Sequence, residues 1–232
     1  MQMLTGKWAL VTGSSRGIGQ QIALGLAQRE CNVIVHGREL EHTRPTLELL
    51  AGYAVQTRAV AGDLAAQDGA AALVAGVGQA VGAIDILYNN AAIQGAWTPL
   101  WETGAEAWQT IFQVNLFALI ELCTAFAPAM KRRGYGRIIN LTSGIKDVPH
   151  LAPYSVSKAA VDKYSRDLAA ELQGSNVLVN YLDPGWLRTD LGGPQADWGV
   201  ETVLPGALVP ALLEDNGPSG RLFAAQDYKY LA

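Results

Sequence analysis

The tightest constraint on this chain sits near its start. A short β-rich run, Lys7 to Thr12, meets a helical pattern through Thr12-Gly13-Ser14-Ser15-Arg16-Gly17-Ile18-Gly19. Ile18, Ile22 and Leu26 recur four apart and share one helix face. A strand must therefore turn sharply into a helix, and three glycines mark where side chains are excluded. Gly13 permits the turn, Gly17 lets an anion approach the backbone, and Gly19 lets the helix pack close to a sheet. Exposed N–H groups and the helix dipole then favour a phosphate. The spacing is G-x-x-x-G-x-G, not the commoner G-x-G-x-x-G, so the strand-to-helix context carries the nucleotide-binding reading. Ser15, Arg16 and Ile18 join the glycines as candidate cofactor-binding residues.

The rest of the chain repeats this alternation. Further strands are expected at Asn32–His36, Ala54–Val60, Ile84–Tyr88, Arg137–Leu141, Val177–Leu182 and Arg221–Ala224. Helical patterns fall at 17–29, 46–51, 67–81, 106–133, 154–172 and 202–213, with a kink predicted at Pro128. Such alternation predicts an α/β fold, a parallel sheet covered on both faces, with ligands beyond the carboxyl ends of the strands. Without repeats or a linker, one domain spanning 1–232 is the economical reading.

Composition narrows the function. The formal charge of −4 comes with no basic stripe, which argues against nucleic acid. Cys31 and Cys123 are not in a C-x-x-C pair, which argues against a disulfide framework or a metal site; both are expected as small buried hydrophobes. No unbroken apolar run approaches the ~20 residues of a membrane helix, and Met1 to Val11 lacks the pattern of a signal peptide. A cytoplasmic protein away from membranes is the resulting expectation.

The second strand ends Val35-His36-Gly37-Arg38, with no acid before Glu39 to read a ribose 2′-hydroxyl. Arg38 and Arg16 suit a 2′-phosphate instead, pointing to NADP(H); Arg38 read blandly is an exposed loop charge. His36 either stacks on adenine or sits mute in the strand. Downstream, Tyr154 and Lys158 stand one helical turn apart on a shared face. A free phenol, with a pKa of about 10, is a poor base, and a close ammonium lowers that value by about 1–3 units. The tuned phenol is then a general acid for carbonyl reduction, or a base for the reverse. Ser143, at the end of the fifth strand, can donate to the substrate carbonyl. Ser155 and Ser157 are expected as helix surface or packing residues.

The ordered set Thr-Gly-x-x-x-Gly-x-Gly, Asn89-Asn90-Ala91, Ser143, Tyr-x-x-x-Lys and Pro184-Gly185 resembles the short-chain dehydrogenase/reductase family from Lys7 to about Tyr228. The resemblance implies a Rossmann-like, doubly wound sheet of about seven strands, assembled as a homodimer or homotetramer. It implies Tyr154 as proton donor, Ser143 orienting the carbonyl, and Lys158 holding the nicotinamide ribose. Asn115 would support a proton-relay water beside the lysine. Asp63, with Leu64, would contact adenine, while Asn90 and Ala91 would lie against the adenosine ribose. Pro184, Gly185, Trp186 and Thr189 would hold the carboxamide. Two features depart from the family pattern: Ala92 replaces a usual Gly, and ten residues rather than about twelve separate Ser143 from Tyr154. The segment Pro184 to Pro194 is especially similar to small NADPH-dependent carbonyl reductases.

The expected substrate pocket is framed by Ser143, Tyr154, Ile145, Val148, His150, Leu151, Ile93 to Trp97 and a variable lid at about 186–200. Trp97, Trp186 and Trp198 would make it aromatic. NADPH-dependent reduction of a ketone or aldehyde to an alcohol, reversible with NADP, is the reading. A β-ketoacyl-thioester reductase and an NAD-dependent alcohol dehydrogenase use the same residues. A non-catalytic NADP-binding regulator would need neither the phenol nor the ammonium. Leu116, Phe117, Leu119, Ile120, Leu122 and Cys123 exceed one buried stripe, which predicts self-association.

Overall fold

Neighbouring residues of each strand face opposite ways, and this divides the core in two. The computed structural model describes residues 3–230. Its strands are β1 (Trp8–Val11), β2 (Asn32–Gly37), β3 (Thr57–Ala61), β4 (Ile86–Asn89), β5 (Gly136–Leu141), β6 (Val177–Asp183), β7 (Leu187–Arg188), β8 (Trp198–Gly199) and β9 (Leu222–Ala224). Seven of them form one parallel sheet in the order β3-β2-β1-β4-β5-β6-β9, while β7 and β8 pair separately. The helices are α1 (Gly17–Gln28), α2 (Arg44–Leu50), α3 (Gly69–Val81), α4 (Ala105–Phe112), α5 (Ala118–Arg133) and α6 (Ala152–Glu171).

In β1, Ala9 and Val11 join Ile22, Leu26 and the 203–211 segment, whereas Leu10 joins Leu73 of α3, Leu122 of α5 and Val161 of α6. Both faces are thus covered, as buried parallel strands require. The result is the expected Rossmann-like single domain. Both cysteines are buried free thiols, and burial pushes each up to about 12.

Three expectations are corrected. The helix over 106–133 does run unbroken, from 105, but its irregularity is a π turn at Gln113–Phe117 between α4 and α5, and α5 runs through Pro128. The helix over 202–213 is two 3-10 turns, Val200–Val203 and Gly206–Ala211, because Pro205 and Pro210 remove backbone donors. An 18-residue window within 105–133 also has mean hydropathy 1.6, so this helix is long and apolar enough by length and composition to cross a membrane. The sequence criterion demanded an unbroken apolar run, whereas an average tolerates scattered polar residues. Half of that window is buried inside the protein. The same burial removes most of the supposed apolar surplus: Leu116, Leu119, Leu122 and Cys123 are core residues, while Phe117 is 46% exposed.

Candidate active site

Between β1 and β4 the strand order reverses, and there the connections diverge to opposite faces. A cleft of about 710 Å³ opens at these strand ends. It is lined by the glycine turn, the ends of β2 and β3, residues 90–93, Tyr154, Lys158, Pro184 and lid residues 188–191.

The turn is held from two sides. Thr12 donates its hydroxyl to the Tyr88 carbonyl at 3.2 Å and accepts the N–H groups of Asn90 and Ala91 at 2.9 and 3.0 Å. The Asn90 amide donates to the carbonyls of Thr12 and Gly13 at 2.8 and 3.2 Å. A Cβ at Gly19 would meet Asn90 Nδ2 and the Gly13 carbonyl at 2.5 Å, so only glycine fits there. On the other side stands His36, 2% exposed. Its Nδ1 accepts the Gly13 N–H at 2.9 Å, and its Nε2 lies 2.9 Å from the Gly62 carbonyl. His36 is thus neither mute nor free to reorient.

This cradle fits a dinucleotide. Gly17 has φ +61°, and a Cβ there would project to within 3.6 Å of the Thr189 methyl, filling the gap between turn and lid. No side chain caps the first turn of α1, leaving its N–H groups for an anion. At the far end lie Arg38, Asp63, Leu64 and His42, the last overlooked in the sequence. Asp63 accepts the Ala65 N–H at 3.1 Å as a turn residue. Arg16 differs from expectation: its Nε pairs with Asp190 of the lid at 2.6 Å, spanning the cleft mouth between two exposed side chains.

The catalytic candidates converge on α6 and the end of β5. Tyr154 is 8% exposed, and Ser143, which acts to lower its pKa, accepts the Ile145 N–H on Oγ at 3.2 Å. Lys158 is 4% exposed and donates from Nζ to the Leu141 carbonyl at 2.8 Å. Burial lowers its ammonium to about 8, partly opposed by Asp162. The expected lowering of the phenol is corrected. Burial raises Tyr154 above its ordinary value, Asp183 adds to the rise, and Ser143 offsets only part of it. The ammonium stands 5.8 Å from the phenol ring centroid and is spent on a backbone carbonyl.

Asn115 sits in the π turn, fully buried. Its Oδ1 accepts the Ile93 N–H at 2.8 Å, and its Nδ2 donates to the Ile93 carbonyl and Ser157 Oγ at 2.9 and 3.0 Å. Ser157 in turn donates to the Tyr154 carbonyl at 2.7 Å, a back-bond within the helix. Thr142 makes a very short bond to Asp162, a carboxylate the sequence reading passed over.

Of the substrate candidates, Ile93 and Tyr154 line the cleft. Trp97 packs edge-on against His150 at 6.0 Å and is 59% exposed. Trp186, half exposed, donates to the Gly192 carbonyl at 2.8 Å within the lid. Trp198 is corrected from pocket wall to packing: it lies on the β1–α1 core and against Gly185. Gly185, with φ +83°, donates its N–H to Asp183 Oδ1 at 2.9 Å.

The family model described as short chain dehydrogenase matches residues 7–199. The chain is 37% identical over 203 residues to the uncharacterized oxidoreductase YvrD of Bacillus subtilis, covering 87% of this chain and 73% of that one. It is 33% identical to gluconate 5-dehydrogenase of Gluconobacter oxydans, over 81% of this chain and 74% of the relative. Among solved structures it is similar to 3-oxoacyl (acyl-carrier-protein) reductase of Agrobacterium tumefaciens with NADP bound. That match has a TM-score of 0.85 at 26% identity, covering 96% of this chain and 93% of that one.

Proposed function

The chain belongs to the short-chain dehydrogenase/reductase family of oxidoreductases, and on that premise we propose that it reduces ketone or aldehyde carbonyls with NADPH, reversibly with NADP. The observation that carries the reading is that buried Tyr154 and Lys158, one helical turn apart, both line the cleft, with Ser143 acting on the phenol. A bound reduced nicotinamide would supply hydride to the carbonyl carbon. Tyr154 gives its proton to the carbonyl oxygen, and Ser143 donates a hydrogen bond to the charge developing there. Lys158 keeps a positive charge beside the phenol, stabilising the phenolate left behind. Burial alone favours the neutral phenol, which suits proton donation in the reductive direction.

Gly13, Ser15, Gly17, Ile18 and Gly19 hold the pyrophosphate in this reading. Arg38 and Arg16 read the 2′-phosphate, and Asp63 and Leu64 flank the adenine. Asn90 and Ala91 border the ribose, while Pro184, Gly185, Trp186 and Thr189 face the carboxamide beneath a lid at 186–200. Ser143, Ile93, Trp97, Tyr154 and Trp186 meet the substrate, and the protein works in the cytoplasm as a homodimer or homotetramer. The relatives' names span a sugar acid and an acyl thioester, so the carbonyl substrate is taken as a class.

The test is a panel of carbonyl compounds with NADPH and NADH side by side, on the protein and on Tyr154→Phe. The variant should lose turnover by roughly 10²-fold or more while still binding NADPH. Full activity in Tyr154→Phe would sink the reading.

A further inference from the structure

His36 has no place in the chemistry above, yet it joins three strand ends around the cleft. Its backbone N–H donates to Ser14 Oγ at 3.0 Å, and its carbonyl accepts the Ser14 N–H at 3.0 Å. Its ring accepts from the Gly13 N–H and reaches the Gly62 carbonyl, both at 2.9 Å. An N–H aimed at Nδ1 requires that nitrogen to be bare, so the ring proton sits on Nε2 and is donated to Gly62. Gly13 opens the phosphate-binding turn, and Gly62 precedes Asp63 at the adenine end.

We propose that His36 is a positioning residue for the coenzyme, its neutral imidazole clamping the glycine turn to the end of β3 so that the phosphate-binding backbone is preset. The proposal rests on the nucleotide reading of the cleft and deepens it. Fixing the turn beforehand spares the ligand the ordering cost that binding otherwise carries. A second proton on the ring would set an N–H against the Gly13 N–H and break the clamp. Burial already disfavours that proton, with the Gly62 carbonyl and Asp63 pulling weakly the other way. Asp63 from the β3 end is the charge that acts on the ring, while Arg38 and His42 from the β2–α2 connection, Arg16 from the glycine turn and Asp190 from the lid share the cleft with it.

The test compares His36→Phe and His36→Asn with the unaltered protein, reading NADPH and NADH binding by fluorescence and kcat at saturating coenzyme. His36→Phe keeps the ring but abandons two backbone groups, and should raise Kd for both coenzymes roughly tenfold. Its kcat should stay within about twofold. His36→Asn returns an acceptor to the Gly13 N–H and should recover most of the affinity. In the unaltered protein, Kd for NADH should begin to rise only as the pH falls below the ordinary histidine value of about 6.5, because burial holds the ring neutral to lower pH. NADH lacks the titrating 2′-phosphate. In His36→Asn, which retains His42, that dependence should flatten. If His36→Phe fails to fold, the pH series and His36→Asn decide alone. An unchanged Kd in folded His36→Phe, or a flat NADH profile in the unaltered protein, overturns the proposal. An unaltered protein that binds neither coenzyme overturns the nucleotide reading itself.

Discussion

Asn115 makes the sharpest prediction, because the family resemblance and the geometry give it different work. Its side chain holds both the N–H and the carbonyl of Ile93 and meets Ser157 Oγ, at 1% exposure. Asn115→Ala therefore strands two part-buried backbone groups of Ile93 at the wall of the cleft. A lost bond costs about 1 kcal/mol net and a stranded buried group about 1–3, so a total of about 3–4 kcal/mol is expected. For a domain of this size each kcal/mol moves Tm by roughly 2–4 °C, giving a fall of about 6–16 °C. Calorimetry measures it, and faster hydrogen exchange at the Ile93 amide localises it. Asn115→Asp keeps the acceptor for Ile93 N–H but, when ionised, offers no donor, so it should rescue only part of the loss. A variant that loses turnover while its Tm stays within about 2 °C would refute the reasoning and leave Asn115 to the proton relay alone.

Further predictions follow from the same geometry. Lys158, lowered from 10.5 to about 8 by burial, charges the native state less readily than the unfolded one. Its drag on stability is therefore full below pH 8 and disappears by about 10.5. Lys158→Met should melt several degrees higher at pH 7, with the gain shrinking across that window, while destroying turnover. In the unaltered protein, kcat/KM should fall as pH rises through about 8, since the required ammonium is lost there; a flat profile to pH 9.5 would count against it. Arg38→Asp should move coenzyme preference toward NADH, seen in paired Kd values. Asp190→Asn releases Arg16 for a 2′-phosphate and should tighten NADPH binding by no more than about fivefold, the scale of an exposed pair, with NADH little changed.

What could be read from the residues beforehand was what local pattern encodes. Apolar alternation and the glycine spacing suffice for the parallel sheet and its cleft, since both express a period or a steric exclusion. The contacts that complete the site run between distant segments. Nothing near Asn115 announces a π turn, because the partner of its amide is Ile93, 22 residues away. His36, by pattern either an adenine-stacking or a mute strand residue, takes its work from the ends of β1 and β3 on either side of it. The Thr142–Asp162 bond spans 20 residues between a strand end and a helix. The tyrosine–lysine pair was legible from its spacing, but its electrostatics were not. Burial, which no spacing reports, raises Tyr154, and the Lys158 ammonium is turned to a backbone carbonyl.

The link between Ser143 and Tyr154 begins under a steric restraint. The chain leaves β5 so close to β6 that a Cβ on Gly144 would lie 2.6 Å from Asp183 Oδ2. A free carboxylate would swing aside, but Asp183 Oδ1 is held by the Gly185 N–H at 2.9 Å. Gly144→Ala must therefore either break that bond, loosening the Pro184–Gly185 segment, or push the Ser143 hydroxyl away from Tyr154. Either route should cost roughly tenfold in kcat/KM, as loss of one to two hydrogen bonds does. Asp183→Ala separates steric from electrostatic effects, since it removes the obstructing oxygen. In that background Gly144→Ala should cost little, so the two substitutions should be strongly non-additive. Additive losses would mean that the carboxylate is not what confines the loop, and that the Ser143 hydroxyl is positioned by something other than this close passage.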